Sequence, residues 1–492
     1  MYYFANFAIL SFARLKKNAA TLLLPVFFEK ALWIPSFAKK KAGEDGTEKR
    51  VDLTQGVIWK GLMTYFFPIL LGAFFQQLYN TVDAVVVGNF VGKEALAAVG
   101  GSASQIVNLM VEFFIGLSSG ATVVIAQYFG AKNASGLHTA LQTTVAFALI
   151  TGAGITVVGI VISGPMMLLM DTPDDIMEFS TQYVRIIFAG ILPSMLYNMG
   201  GGILRALGDS RRPLYYLIVC CVTNILLDLL FVAVFRWEVI GAALATILSQ
   251  AVSAVLVMRA LSRLDDAYRF RSKEIAIDRP ELVHILRIGL PSGVQASMYS
   301  ISNLLIQTSV NSLGTDTVAA WTACSKADSI FWMIMNAFGV TILTFVGQNI
   351  GAGNKARAHQ GVKVCFKITM TTALVLSTLL FFEGKILLTV FSSDLEVLEI
   401  GFRAMRHLVP FYFTWVFVEI LSSALRGSGN AFAPMVITVL GICVLRVIWV
   451  YAAIPLNPCI EMICYSYGLT WSVTGAAFLV YYYKVGRSRF FT

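Results

Sequence analysis

Thr139–Ser163 reads TALQTTVAFALITGAGITVVGIVIS, twenty-five positions without a charged side chain. An α-helix needs about 20 predominantly apolar residues to cross the hydrocarbon core of a bilayer, so this stretch is long enough for one crossing. The same texture recurs outward from it, over 213–235, 239–258 and 434–454, with at most one or two charges in each. Across all 492 residues, 57% are hydrophobic and 13% are charged, against roughly a quarter charged in ordinary globular chains. That balance argues against a soluble multi-domain enzyme, a disordered chain, a collagen or a disulfide scaffold. The runs are also too long and too apolar for the alternating strands of a membrane β-barrel. The expected class is all-α, a polytopic membrane protein.

Apolar runs punctuated by Gly, Pro and charge predict twelve spans. They lie near 62–87, 97–127, 139–163, 180–203, 213–235, 239–259, 282–308, 318–348, 361–382, 400–424, 434–454 and 463–484. Alternate loops differ in sign. One set is basic, with Arg211 and Arg212, six Lys or Arg between Arg259 and Arg279, and Lys484, Arg487 and Arg489 in the tail. The other set is acidic, with Asp171, Asp174, Asp175, Asp316, Asp394 and Glu396 among its residues. Lys and Arg favour cytoplasmic loops, so both termini are expected inside a multi-pass cell-membrane protein. The formal charge of +9 then reflects topology, and no nucleic-acid partner is expected. Residues 1–50, with nine basic and four acidic side chains, lack the order of a secretory signal. They read as a surface-lying amphipathic segment or a cytoplasmic extension. The expected division is an extension over 1–55, an N-lobe over 56–262, a linker over 263–280, and a C-lobe with its tail over 281–492. Seven cysteines show no metal spacing; only Cys459 and Cys464 flank a loop where a disulfide is conceivable.

The chain repeats itself. Gln127-Tyr-Phe-Gly130-Ala-Lys-Asn133 returns as Gln348-Asn-Ile-Gly351-Ala-Gly-Asn354, and Arg205-Ala-Leu-Gly208-Asp209 returns as Arg426-Gly-Ser-Gly429-Asn430. Both motifs are displaced by 221 residues, which marks an internal duplication. Six spans per copy is an even number, so the two repeats run parallel, an arrangement used for alternating access. Gly130, Gly208, Gly351 and Gly429 are expected to end helices in a left-handed conformation, and Pro213 and Pro434 to begin the next ones.

Charges inside the spans separate the halves. A deep carboxylate costs about 2.5–3.5 kcal/mol on the insertion scale. The second half holds Lys326, Asp328, Glu419 and Arg446, which can neutralise one another in ion pairs. The first half holds Asp83, Glu112 and Asp228 without a deep Lys or Arg. Asn224 and Asp228 share a helical face at i, i+4, Asn80 precedes Asp83 by three residues, and Thr246 falls at a similar depth. Carboxylate, amide and hydroxyl oxygens suit a hard monovalent cation, so Asp83, Asp228, Asn224, Thr246 and Asn80 are the candidate cation site. Na⁺ held by Asp83 and Asp228, or a proton, fits there. The competing reading is a hydrogen-bonded patch that glues helices. The 221–223 offset maps Asp83 to Ile306, Asn224 to Leu445 and Asp228 to Trp449, so the site is expected once. Gln295, Tyr299, Asn303 and Gln307, at four-residue steps, either face a substrate between the halves or bond to neighbouring helices. With Gln76 and Met195 they complete the candidate substrate contacts.

These motifs, together with Glu94-Ala-Leu-Ala-Ala-Val-Gly100, Asn198-Met-Gly-Gly-Gly-Ile-Leu-Arg205 and Thr344-Phe-Val-Gly-Gln348, resemble the multidrug and toxic compound extrusion (MATE) family over about 55–485. The resemblance implies a V-shaped pair of six-helix lobes and export of cationic amphipathic compounds in exchange for Na⁺ or H⁺, without a cofactor. Asp83 matches the family's first-helix aspartate and Pro68 its bend site. Asn224, Asp228 and Thr246 match the ion-site positions of the DNA-damage-inducible-type subgroup. The seventh span lacks the acidic residue of members that bind the ion in the second lobe, which favours coupling through the first. The alternative within the superfamily is a lipid-linked oligosaccharide flippase, whose pyrophosphate would favour a basic cavity. No Gly-x-x-x-x-Gly-Lys-[Ser/Thr] is present, so ATP-driven pumping is not expected, and neither is an enzyme. The expected partners are small-molecule cations and membrane lipids, with the chain acting as a monomer.

Overall fold

Each of the twelve apolar runs forms helix, most of them extending a turn or more into the flanking loops. A computed structural model describes residues 51–170, 172–265 and 268–491. The segment 1–50 and Asp171 of the acidic loop lie outside the described residues. The first half comprises α1 (Ile58–Phe90), α2 (Lys93–Gly100), α3 (Ser102–Gly130) and α4 (Ala134–Leu169), then α5 (Asp174–Ala189), α6 (Ile191–Ala206), α7 (Arg211–Asp228) and α8 (Glu238–Leu261). The second comprises α9 (Arg279–Asn311), α10 (Thr315–Gly351), α11 (Lys355–Leu388) and α12 (Leu395–Leu408), then α13 (Tyr412–Gly427), α14 (Phe432–Thr438), α15 (Leu445–Ala452) and α16 (Ile460–Tyr481). No strand occurs among the described residues.

Ten helical stretches among the described residues are long and apolar enough to cross a membrane, and an eleventh is the pair α5–α6, bent by 48°. Gly190 stands at that bend. The expected seventh span forms α9, 33 residues long, which is not among these, its polar stripe and basic start lowering its hydropathy. Outward side chains such as Val161 (70% exposed) and Leu169 (85% exposed) form the apolar surface that a bilayer covers. Loop residues cap the helices as their types dictate. Asn133 accepts from the Gly136 amide, and Asp394 from the amides of Glu396 and Val397.

The duplicated motifs meet in three dimensions. Gln127 on α3 donates to the Gly427 carbonyl (3.1 Å), and Gln348 on α10 donates to the Ala206 carbonyl (2.8 Å). Each bond crosses from one repeat to the other, and both donor and acceptor shift by the same 221 residues. Glycine makes the approach possible. A Cβ on Gly130 would lie 1.9 Å from the Gln348 carbonyl oxygen, and one on Gly351 would lie 1.9 Å from that of Gln127. This corrects the expected role of these two glycines. They stay helical and serve close packing, while Lys132 (φ 54°) and Gly353 (φ 72°) take the left-handed conformation. Gly208 (φ 84°) and Gly429 (φ 94°) do terminate helices as expected.

The charges of the second half also find partners other than those expected. Asp328 accepts from the Tyr412 hydroxyl (2.6 Å) and the Trp332 indole N–H (3.1 Å). Arg446, fully buried, donates to Asn303 Oδ1 (2.8 Å) and lies 4.1 Å from the centre of the Tyr467 ring. Glu419 sits beside Arg426, and Lys326 is exposed. Aromatic hydroxyl, indole and ring faces, invisible to a count of charges, satisfy Asp328 and Arg446, while Glu419 has a basic neighbour in Arg426. Cys459 and Cys464 are both free thiols.

Candidate functional site

Helices α1 and α7 of the first half bring two of the candidate cation ligands, Asp83 and Asp228, together. On α7, Asn224 and Asp228 occupy one face, one helical turn apart, and both are fully buried. Regular helix ends at Asp228 and passes into a π turn over Leu229–Val234, an irregularity often found at functional positions. From α1, Asp83 approaches Asp228 closely enough for the two carboxyl groups to interact. Thr246, on α8, is 8% exposed.

The bonding of this cluster is incomplete. Oδ1 of Asp83, both carboxyl oxygens of Asp228, Oδ1 and Nδ2 of Asn224, and Oγ1 of Thr246 are buried without a hydrogen-bond partner. Buried polar atoms are normally satisfied; here the Asn224 amide and the Thr246 hydroxyl, each able to donate, stand without a partner, and the carboxyl oxygens meet only one another. Two facing carboxyls in a medium of low dielectric need a counter-cation or a proton. Carboxylate, amide and hydroxyl oxygens are the ligand types of a hard monovalent ion. No group of three His, Cys, Asp or Glu able to hold a metal occurs among the described residues.

Two tyrosines escaped the sequence reading. Tyr79 lies on α1 one turn before Asp83 and bonds to Gln250; Tyr183, on α5, is a neighbour of Tyr79 and both carboxyls without a sequence neighbour in the cluster. A Tyr four residues before a membrane aspartate is a usable signal for the first. Tyr183 comes from a separate helix and has no local signal.

The remaining candidates lie apart. Gln76 and Asn80 are exposed on α1, and Met195 is buried in the apolar core of the first half. Gln295 donates to Thr438 Oγ1 (3.0 Å) and Ser422 Oγ (3.3 Å), and Tyr299 packs against Trp415. With Asn303 held by Arg446, these three residues of the α9 stripe bind into the second half. The positions equivalent to the carboxylates hold a buried Ile306 and Trp449, whose indole donates to the Met462 carbonyl (2.9 Å).

A family model described as MatE matches residues 68–230 and 291–452, once per repeat. The chain is similar to "Probable multidrug resistance protein YoeA" of Bacillus subtilis, 29% identical over 392 residues, or 78% of this chain and 84% of that one. It is similar to "Probable multidrug resistance protein YpnP" of the same organism, 29% identical over 405 residues, or 81% of this chain and 89% of that one. A multidrug resistance MATE family transporter of the MOP superfamily, solved in an outward-facing conformation, superimposes with a TM-score of 0.82 over 90% of this chain and 98% of its own, at 22% identity. That likeness establishes a shared fold.

Proposed function

This chain belongs to the MatE family of multi-pass membrane transporters, and from that premise we propose that it is a secondary active multidrug efflux antiporter. It exports cationic amphipathic compounds in exchange for Na⁺ or H⁺. The observation that carries this reading is the facing carboxyls of Asp83 and Asp228, three of whose oxygens are buried without a donor, with the unbonded amide of Asn224 one turn from Asp228. A patch that merely glued helices together would leave its polar atoms bonded. An ion or proton completes these oxygens, and its arrival and departure change which packing of α1, α7 and α8 is favourable. The relatives named for multidrug resistance support the substrate class.

The same reading divides the chain into an N-lobe over 56–262 and a C-lobe over 281–492, joined by the linker 263–280. The basic loops and both termini face the cytoplasm. Because the cross-repeat contacts of Gln127, Gln348, Gly130 and Gly351 gather at the basic-loop end, we read this conformation as closed to the cytoplasm. Efflux of a fluorescent cationic dye from vesicles, with a Na⁺ gradient and a pH gradient imposed separately, tests the proposal. Dye extrusion driven by either gradient and lost in Asp228→Asn supports it. Extrusion under neither gradient, or undiminished in that variant, overturns it.

A further inference from the structure

Away from the carboxylate cluster, a cavity of about 850 Å³ lies against α6, α8 and the segment that follows α8. Its wall is apolar, built by Leu192 and Leu196 of α6 and by Ala251, Val255 and Met258 of α8. Its mouth is basic. Arg259, Arg269, Arg271 and Lys273 line it, with Glu274 the one carboxylate among the described lining residues. We propose that this groove is a binding site for an anionic phospholipid of the leaflet on the basic-loop side.

Length decides between a lipid and a soluble anion. The lining residues of α8 and its C-cap run from Ala251 to Ser262, roughly 16 Å at 1.5 Å per residue. That is about half of a 30 Å hydrocarbon core. The groove therefore reaches from mid-bilayer to headgroup level, as one acyl chain does. Val255 is 65% exposed, so the wall opens sideways to lipid. A free phosphate has no use for such a wall.

The basic mouth is anchored. The Phe270 amide donates to the Leu261 carbonyl (3.0 Å), which folds the segment back onto the end of α8. Arg271 donates to Glu274 Oε1 (3.0 Å), and Glu274 Oε2 meets His138 Nε2 of α4 at 2.8 Å. These contacts hold the Glu274 carboxyl below the ordinary carboxylate range, the Arg271 bond being the larger cause. Glu274 thus stays charged and tethers the mouth to α4, while the exposed Arg259 and Lys273 are left to meet a headgroup. A headgroup phosphate seated there bridges α8 to the connection between the repeats.

Native mass spectrometry of the full-length protein in detergent, supplied with phosphatidylglycerol or with phosphatidylcholine of matched chains, tests the site. Phosphatidylglycerol should be retained preferentially. Arg259→Gln combined with Lys273→Gln, both at exposed positions, should cut that preference by on the order of tenfold to thirtyfold, from the contribution of each basic residue near an anionic surface. Ala251→Trp fills the apolar wall and should reduce retention of both lipids. Equal retention of the two lipids by the unaltered protein, or an undiminished preference in the doubly neutralised variant, overturns the proposal. So does full displacement of phosphatidylglycerol by millimolar glycerol 3-phosphate, since the site would then be one for a soluble anion.

Discussion

Asp228 has both carboxyl oxygens buried and unbonded, faces Asp83, and closes a helix that passes into a π turn. Replacement by Asn keeps the volume and removes the charge that asks for a cation. Asp228→Asn should therefore fold, with a thermal midpoint equal to or above that of the unaltered protein. The effect of the coupling ion on substrate affinity, roughly 5–150-fold for a coupled pair of sites, should vanish. Substrate titrations with and without Na⁺ and at two pH values measure this, and a retained ion effect refutes it. Glu419 presents the opposite case. It neighbours Arg426, and Gly339 makes room for it, since a Cβ there would sit 1.9 Å from Glu419 Oε1. Glu419→Gln leaves a half-buried guanidinium without its countercharge and should cost about 1–3 kcal/mol of stability. Thermal unfolding reads that loss; a variant with unchanged stability and no transport would move the coupling charge to the second half.

At the scale of helices, the glycines of the duplicated motif offer a matched experiment. Gly130 and Gly351 allow α3 and α10 to touch backbone to backbone, whereas Gly154 within α4 has open space where a Cβ would go. Gly130→Ala or Gly351→Ala should destabilise the closed seam by about 1–3 kcal/mol. Gly154→Ala should stabilise its helix by up to about 1 kcal/mol. Cysteine accessibility at the basic-loop end would report the opened seam. An effect at Gly130 no larger than that at Gly154 would show that the close approach is not needed. These contacts also mark the limit of sequence reading. Apolar runs located the helices, because a bilayer imposes length and hydropathy on each one locally. The 221-residue offset revealed the duplication, and i, i+4 spacing paired Asn224 with Asp228. Neither method reveals that Gln127 reaches Gly427, or that Tyr183 joins the carboxylates. Those partners lie far apart in the chain, and no period along one helix encodes them. Gly130 has the local sequence of a helix cap, and its packing role rests on Gln348, a partner that no local pattern names.

For the whole molecule, the proposed exchange requires ion occupancy in the first half to reach the seam between the halves. The helix α1 touches both. At its start, the Tyr65 hydroxyl donates to the Arg205 carbonyl (2.7 Å) beside Thr344, and Phe66 stacks on Phe338 of the second half at 4.0 Å. At its far end, Asp83 meets Asp228. Between them lies Pro68, inside a continuous helix, where the Thr64 carbonyl has lost its backbone partner and bending is easiest. Asp83 is fifteen residues further on, about 22 Å along the axis. A rigid α1 would carry any shift of Asp83 straight to the Phe66–Phe338 stack, and the two ends could adopt no separate positions. A soft point at Pro68 permits the far segment to repack around a neutralised carboxyl pair while the near segment stays on the seam until substrate space is altered. Under the proposed exchange, the ion would then bias a two-state element that the substrate also senses. Pro68→Ala restores the missing bond and should leave substrate affinity without the ion nearly unchanged. It should reduce the ratio of affinities with and without the ion toward unity. Titration of a fluorescent substrate under both conditions gives the two quantities. If the ratio in Pro68→Ala equals that of the unaltered protein, the bend has no part in the coupling, and the signal must pass through α7 and α8 instead.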